Sequence, residues 1–288
     1  MQEFDDIYDT EITKRYDKHE IQRLSQRKVD RKRRYGAGRP FKLNVKDRII
    51  MLLVYYRLYI TYTLADGFLF DLDQSNICRD IQKIESLIRK CLPIPQKIYK
   101  ITKKRLRTPE EVEKYFPGFL AFIDCTEQQI PRPKNKRKRR AYYSGNKKRH
   151  TVKTQLMVNN HGYILHKIAH KKGKRHDYDV YKENHPVTPK QVVTIFDLGY
   201  LGIEKDFPEQ QSSLPKRKKT NQERELSMEE KDYNKTHSKK RIVIEHTICR
   251  LKKYKILADI FRNKLKKYDK VSDIVSGLVN YRTMNYHN

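Results

Sequence analysis

The sequence predicts a mixed α+β chain, shading into α/β, in which an N-terminal helical helix-turn-helix domain precedes a β-sheet domain flanked by helices. Two observations predict it. Apolar residues recur at helical spacing from about 45 to 88, change to short strand-like runs from about 116, and return to helical spacing beyond 197. The early helices are also short, capped and separated by a tight turn, as in a helix-turn-helix.

The elements follow in order. Residues 1–40 begin acidic (MQEFDDIYDTE), turn amphipathic, and end in a basic run, RKVDRKRRYGAGRP, whose Gly36, Gly38 and Pro40 suit an arm and linker. Asn44 is a cap for a helix over about 45–59, with Asp47 three residues on and Val45, Ile49, Leu52, Tyr56 and Ile60 on a recurring face. Thr61 caps a short second helix with Leu64, Ala65 and Phe68. After the FDL turn, Asp73 caps a third whose Ile77, Ile81, Ile84 and Ile88 share one face. Strands are expected at 119–124, 141–145, 152–158, 163–170 and 192–197, the third and fourth joined through NNHG as a hairpin. A polar, charge-rich stretch at 205–240 leads to an amphipathic helix over about 239–254 and a last helix near 270–284. This organisation divides the chain into an arm (1–40), a helix-turn-helix domain (41–100) and a sheet domain (101–288).

Composition narrows the function. With 65 Lys+Arg against 35 Asp+Glu in 288 residues, the net charge of +30 points to a polyanionic partner, most simply nucleic acid. The 20 Tyr and 10 Phe supply ample core material, so the chain is folded despite its charge. Cysteines 78, 91, 125 and 249 form no CxxC pair, which excludes a zinc ribbon or a secreted disulfide framework and fits a reducing compartment. The longest apolar stretch, IIMLLVYYRLYI, is interrupted by Arg57 and falls short of a membrane span, and the acidic N-terminus is unlike a signal peptide. An intracellular protein without membrane partners is expected.

Three acids carry the chemistry. Phe122-Ile123-Asp124 and Ile195-Phe196-Asp197 each end an apolar run in a carboxylate, which is expensive to bury unpaired. Either Asp alone fits a turn cap. The third is Glu245: at 100° per residue, Arg241 and Lys252 lie about 40° and 20° round the helix from it, so all three share a face. That face reads either as a solvated salt-bridging surface or as a metal ligand beside a phosphate path.

Together with FDLDQSNICRDI (70–81), FIDCTE (122–127), YYSGNKKRHTVKTQ (142–155), GKRHD (173–177) and FDLGYLG (196–202), the Arg241-x3-Glu245-x6-Lys252 array resembles insertion-sequence transposases of the DDE superfamily, in the endonuclease branch that includes Harbinger-type elements. The resemblance spans about 41–286; residues 1–40 lie outside it and 205–235 match no family motif. It implies a ribonuclease-H-like mixed sheet, with Asp124, Asp197 and Glu245 as the catalytic acids. These would hold two divalent cations, magnesium with manganese as substitute, because hard carboxylate oxygens suit that metal better than zinc. The partners implied are duplex DNA at the element's ends and in the target, a second copy or more of the chain on DNA, and a cytoplasmic, nucleoid-associated location.

The DNA contacts are expected in three places. Gln74, Ser75, Asn76, Arg79 and Lys83 face away from the apolar side of the third helix, although a helical hairpin used for dimerisation has the same pattern. Residues 131–153 hold eleven Lys or Arg and no acid, with Tyr142 and Tyr143 among them, and Lys147, Lys148 and Arg149 stand nearest the site. Arg33, Arg34 and Arg39 suit a minor-groove arm, while Arg241 and Lys252 suit phosphates beside Glu245. His176 and Asp177 match the family's His-Asp pair behind the acids, though Asp177 equally suits a helix cap. His166 and His170, four apart on one expected strand, lack a third zinc ligand. Competing functions are a transposase-derived DNA-binding protein without cleavage and a sequence-tolerant metal nuclease.

Overall fold

The computed structural model describes residues 42–65, 69–106, 108–218 and 225–286, so the arm with Arg33, Arg34 and Arg39, and Phe68 of the second expected helix, lie outside them. The described chain divides at Leu92/Pro93 into two compact units.

In the first unit, α1 (Val45–Leu58) starts where Asn44 Oδ1 accepts from the Asp47 N–H at 2.8 Å and stops because Tyr59 turns left-handed, φ 50°. Helix α2 (Tyr62–Ala65) is capped by Thr61, whose Oγ1 accepts from the Leu64 N–H. Helix α3 (Gln74–Cys91) begins at Asp73, whose carboxylate accepts from the Ser75 N–H at 2.8 Å. Ile77, Ile81, Ile84 and Ile88 are all buried, as are Leu52 and Tyr56 of α1. Two polar links fasten α1 to α3: buried Arg48 pairs with Asp80 at 3.1 Å, and the Tyr56 hydroxyl donates to Glu85 at 3.0 Å.

The second unit opens with two helices that the apolar periodicity does not single out, α4 (Pro95–Arg105) and α5 (Pro109–Tyr115). The latter starts in a reciprocal cap between Thr108 and Glu111. Strand β1 (Leu120–Gln129) follows, then α6 (Lys136–Tyr142), β2 (Tyr143–Ser144), β3 (Arg149–Asn159), β4 (Ile164–Lys167) and β5 (Lys171–Lys172). The strand expected at 141–145 is mostly absent. Asn135 accepts from the Lys138 N–H and starts a helix of good helix-forming Lys and Arg residues, leaving two residues to pair with β3. The expected strand at 163–170 likewise stops at Lys167, and His170 lies beyond it, bonded to Asp269.

Helix α7 (Asp177–Asn184), β6 (Val193–Ile195), α8 (Ile203–Asp206) and β7 (Ser212–Ser213) complete the sheet, in the order β2-β3-β1-β6-β7 with β4 and β5 beside β3. Strand β1 is antiparallel to β3 and parallel to β6, the mixed sheet that the resemblance implies. The hairpin turn uses Gly162 at φ 77°, where a Cβ would stand 2.7 Å from the Thr247 hydroxyl. Helix α9 (Met228–Lys252) is eleven residues longer at its start than the apolar pattern suggests, because Ser227 and Glu230 form a reciprocal cap. It packs on β1, while α10 (Lys255–Ala258) and α11 (Tyr268–Tyr286) follow, α11 and α4 both lying against β4. One core cluster joins Ile123, Met157, Leu165, Tyr181, Phe196 and Tyr200. No helix among the described residues is long and apolar enough to cross a membrane.

Candidate active site

The two aspartates that close the apolar runs meet through register, although β1 does not end at Asp124 as expected: Cys125–Gln129 stay paired with β3 and leave Asp124 in mid-strand, whereas Asp197 lies two residues past β6. Phe122 lies opposite Ile195 in the parallel β1–β6 pair. Continued by two residues, that alignment sets Asp124 beside Asp197. The two short motifs therefore run abreast, each carboxylate just past the apolar part of its strand. Asp197 is anchored by the N–H of Gly199, which donates to Oδ1 at 2.9 Å, and a Cβ at Gly199 would stand 3.0 Å from that oxygen. Glycine is thus what lets the backbone close on the carboxylate. Asp124 accepts from the Cys125 N–H at 2.7 Å and, through Oδ2, from Arg241 at 3.0 Å. Burial pushes the Asp124 carboxyl up to about 6, Arg241 pulls it down, and the charge of Asp197 pushes it up again.

Arg241 and Lys252 both reach β1 from α9: Lys252 Nζ donates to the carbonyls of Glu127 and Leu257 at 2.8 Å each. Burial, with Lys147 nearby, pulls the Lys252 ammonium down to about 8 against the pull of Glu127. Glu245 sits on that same helix face, exposed. Among the described residues no three His, Cys, Asp or Glu side chains gather closely enough to hold a metal ion. The donor chemistry of the aspartate pair nonetheless suits a hard divalent cation, since neighbouring carboxylates that repel each other are relieved by one.

A second charged network lies behind β1, and apolar periodicity cannot reveal it. Lys153, opposite Glu127 in the β1–β3 register, is buried; its ammonium stands 2.6 Å from Asp177 and 3.5 Å from Glu127, and donates to the Arg175 carbonyl at 2.8 Å. Thr151 donates to Glu127 at 2.7 Å. Asp177 is therefore the partner of Lys153, and His176, exposed, occupies the N-cap position of α7 without a side-chain cap bond. The turn before it is tied to β3 at Gly173, whose N–H donates to the Thr151 carbonyl at 3.0 Å; a Cβ there would meet Thr151 Oγ1 at 2.0 Å. Gly173→Ala is accordingly expected to lower the melting temperature by several degrees, a loss of about 1–3 kcal/mol through overpacking; an unchanged melting curve would show that the turn yields freely.

Lys147 and Lys148 are exposed in the turn between β2 and β3, and Arg149, exposed at the start of β3, donates to Gln129 at 2.8 Å. With α6 and the 173–177 turn they adjoin or line a cleft of about 1060 Å³ whose walls include Arg132, Lys136, Arg139, Arg140 and Tyr143, with Glu127, Lys153 and Asp177 among its lining. In the first unit, Gln74, Ser75, Asn76, Arg79 and Lys83 are all exposed on α3, and Arg79 donates to Asn76 at 3.1 Å.

A family description reading "DDE superfamily endonuclease" matches residues 123–280, and one reading "Helix-turn-helix of DDE superfamily endonuclease" matches 41–94. The chain belongs to this superfamily, as an insertion-sequence transposase with an N-terminal helix-turn-helix. Among curated proteins it is similar to the probable transposase for insertion sequence element IS702 of Microchaete diplosiphon, with 32% identity over 258 residues that cover 88% of this chain and 86% of that one. No solved structure matches.

Proposed function

We propose that this transposase binds the ends of its mobile element through α3 and cleaves phosphodiester bonds at a site formed by Asp124, Asp197 and Glu245, then joins the freed 3′ end to target DNA. The observation that carries the reading is the alignment of Asp124 and Asp197 in adjacent parallel segments, with α9 packed on β1 and its Arg241 bonded to Asp124. The three acids would hold two magnesium ions, or manganese in their place, which when bound stabilise the attacking and leaving oxygens of the displacement. The chain's own groups do the rest. The Gly199 N–H orients Asp197, Arg241 orients Asp124, and the cations at 147–149 meet the phosphates of the strand held over the site. The Lys153–Asp177 pair fixes the 173–177 turn and with it His176. A homodimer or higher oligomer working on DNA in the cytoplasm fits one chain acting on two element ends.

The division of labour is that the helix-turn-helix unit, expected over 41–100 and closing at Leu92, selects the sequence, and the sheet unit that follows cuts. Incubating the purified chain with its element's ends and magnesium separates the readings. Cleavage confined to the ends, followed by joining, supports the proposal. Selective binding without cleavage would mark a DNA-binding derivative, and cleavage of any DNA a sequence-tolerant nuclease.

Arg79 and the basic turn are expected to behave differently. Arg79→Ala removes about 1–3 kcal/mol from binding to the cognate duplex and little from a scrambled one, if the guanidinium reaches a base edge. Replacing Lys147, Lys148 and Arg149 together by Ala lowers affinity for both duplexes and flattens the salt dependence, since each lost phosphate contact takes about 0.9 from the log–log slope. Equal losses for Arg79→Ala on both duplexes would reassign it to the backbone.

A further inference from the structure

The cleft between α6 and the 173–177 turn has a composition that phosphate tracking alone does not require. Arg132, Lys136, Arg139, Arg140 and Lys174 line it, and among the described residues none of them has a carboxylate partner. The two acids in its lining are already engaged, Glu127 by Thr151 and Lys153, and Asp177 by Lys153, so the charge left facing the cavity is positive. Arg139 adds a buried Nε with no hydrogen-bond partner. Into this basic cavity projects an aromatic ring: Tyr143 is 42% exposed and lines the cleft. Its ring is held by the edge-to-face contact of His150, its cross-strand neighbour, with centroids 5.6 Å apart.

A rigid exposed ring ringed by cations binds a ligand that is at once anionic and flat. Within a duplex the base faces are covered by their neighbours, whereas an unpaired base offers its face for stacking, and each stacked base contributes measurably to affinity. The cavity, about 1060 Å³, is larger than most small-molecule sites need and has room for more than one nucleotide. We infer that this cleft takes unpaired nucleotides, with Tyr143 as the stacking platform and the α6 cations on the phosphates. If the chain cuts DNA as proposed above, these are nucleotides of a strand separated beside the cut; the binding itself requires neither metal nor cleavage.

The test is therefore made in a chelator, by fluorescence anisotropy with the full chain. The probes are a blunt duplex and the same duplex carrying a three-nucleotide single-stranded tail. The tail is expected to raise affinity about tenfold for the unaltered chain and for Tyr143→Phe, which keeps the ring. It should add less than about twofold for Tyr143→Ala, while affinity for the blunt duplex stays unchanged. A matching melting temperature for the two variants excludes misfolding as the cause. The inference is overturned if the tail adds nothing to the unaltered chain, if Tyr143→Ala keeps the full tail effect, or if that variant loses blunt and tailed duplex alike. Failure of the cleavage reading would leave this binding intact, and loss of the tail effect would leave cleavage intact, so the two outcomes are told apart.

Discussion

Asp124→Asn is expected to slow end cleavage in magnesium by on the order of a thousandfold or more while changing end binding by no more than about twofold. The carboxylate would be lost from the reacting centre, but the exposed cations and α3 would remain. The same variant makes a stability prediction of opposite sense. Asp124 is held up to about 6 in the folded protein, by burial first, partly offset by Arg241, and by the charge of Asp197. An unfolded chain ionises its Asp near 3.9. Because the folded value is the higher one, the fold favours the proton. Its stabilising contribution is complete below about pH 4 and is lost as pH rises through about 6, on the order of 2–3 kcal/mol. In a chelator, the unaltered chain should show that decline between pH 4 and 6 and Asp124→Asn should not. A variant that lost stability at neutral pH as fast as it lost activity would make Asp124 a structural residue.

The second large effect lies far from the chemistry. Lys167 at the end of β4 pairs with Asp273 of α11 at 3.0 Å, each side chain only 1% exposed. Removing one partner strands a charge in a dry core, which costs about 3–5 kcal/mol. Asp273→Ala is thus expected to lower the melting temperature by roughly 6–20 °C for a unit of this size. Replacing both residues, Lys167→Met with Asp273→Leu, should recover most of that loss, because no charge is left to solvate. A single variant as stable as the double would show that water reaches the site.

Much of the order of elements was legible in the sequence because its signals are local. Asn44, Thr61 and Asp73 each satisfy helix donors within three residues. The Ile77, Ile81, Ile84 and Ile88 stripe needs only a 3.6-residue period to be buried together. The hairpin through Asn159–Gly162 and the likeness of the two apolar runs that close in Asp124 and Asp197 are local patterns too. The start of α9 was equally available in Ser227 and Glu230, a capping box within charge-rich sequence where apolar periodicity is blind.

Tertiary structure alone decided which charges meet. Arg241 shares a helix face with Glu245, but only the packing of α9 on β1 makes it the counter-ion of Asp124. Lys252 shares that face too, yet its ammonium is turned onto the Glu127 and Leu257 carbonyls. Lys153 reads in sequence as one more cation of a basic run. It becomes the buried bridge between Glu127 and Asp177 because the antiparallel register sets it opposite one and the turn at Gly173 brings the other across. Helix caps and apolar stripes are fixed by neighbours a few residues away, so the sequence alone determined them. An ion pair between residues 24 or 117 positions apart depends on register and packing, and is decided only when the chain has folded.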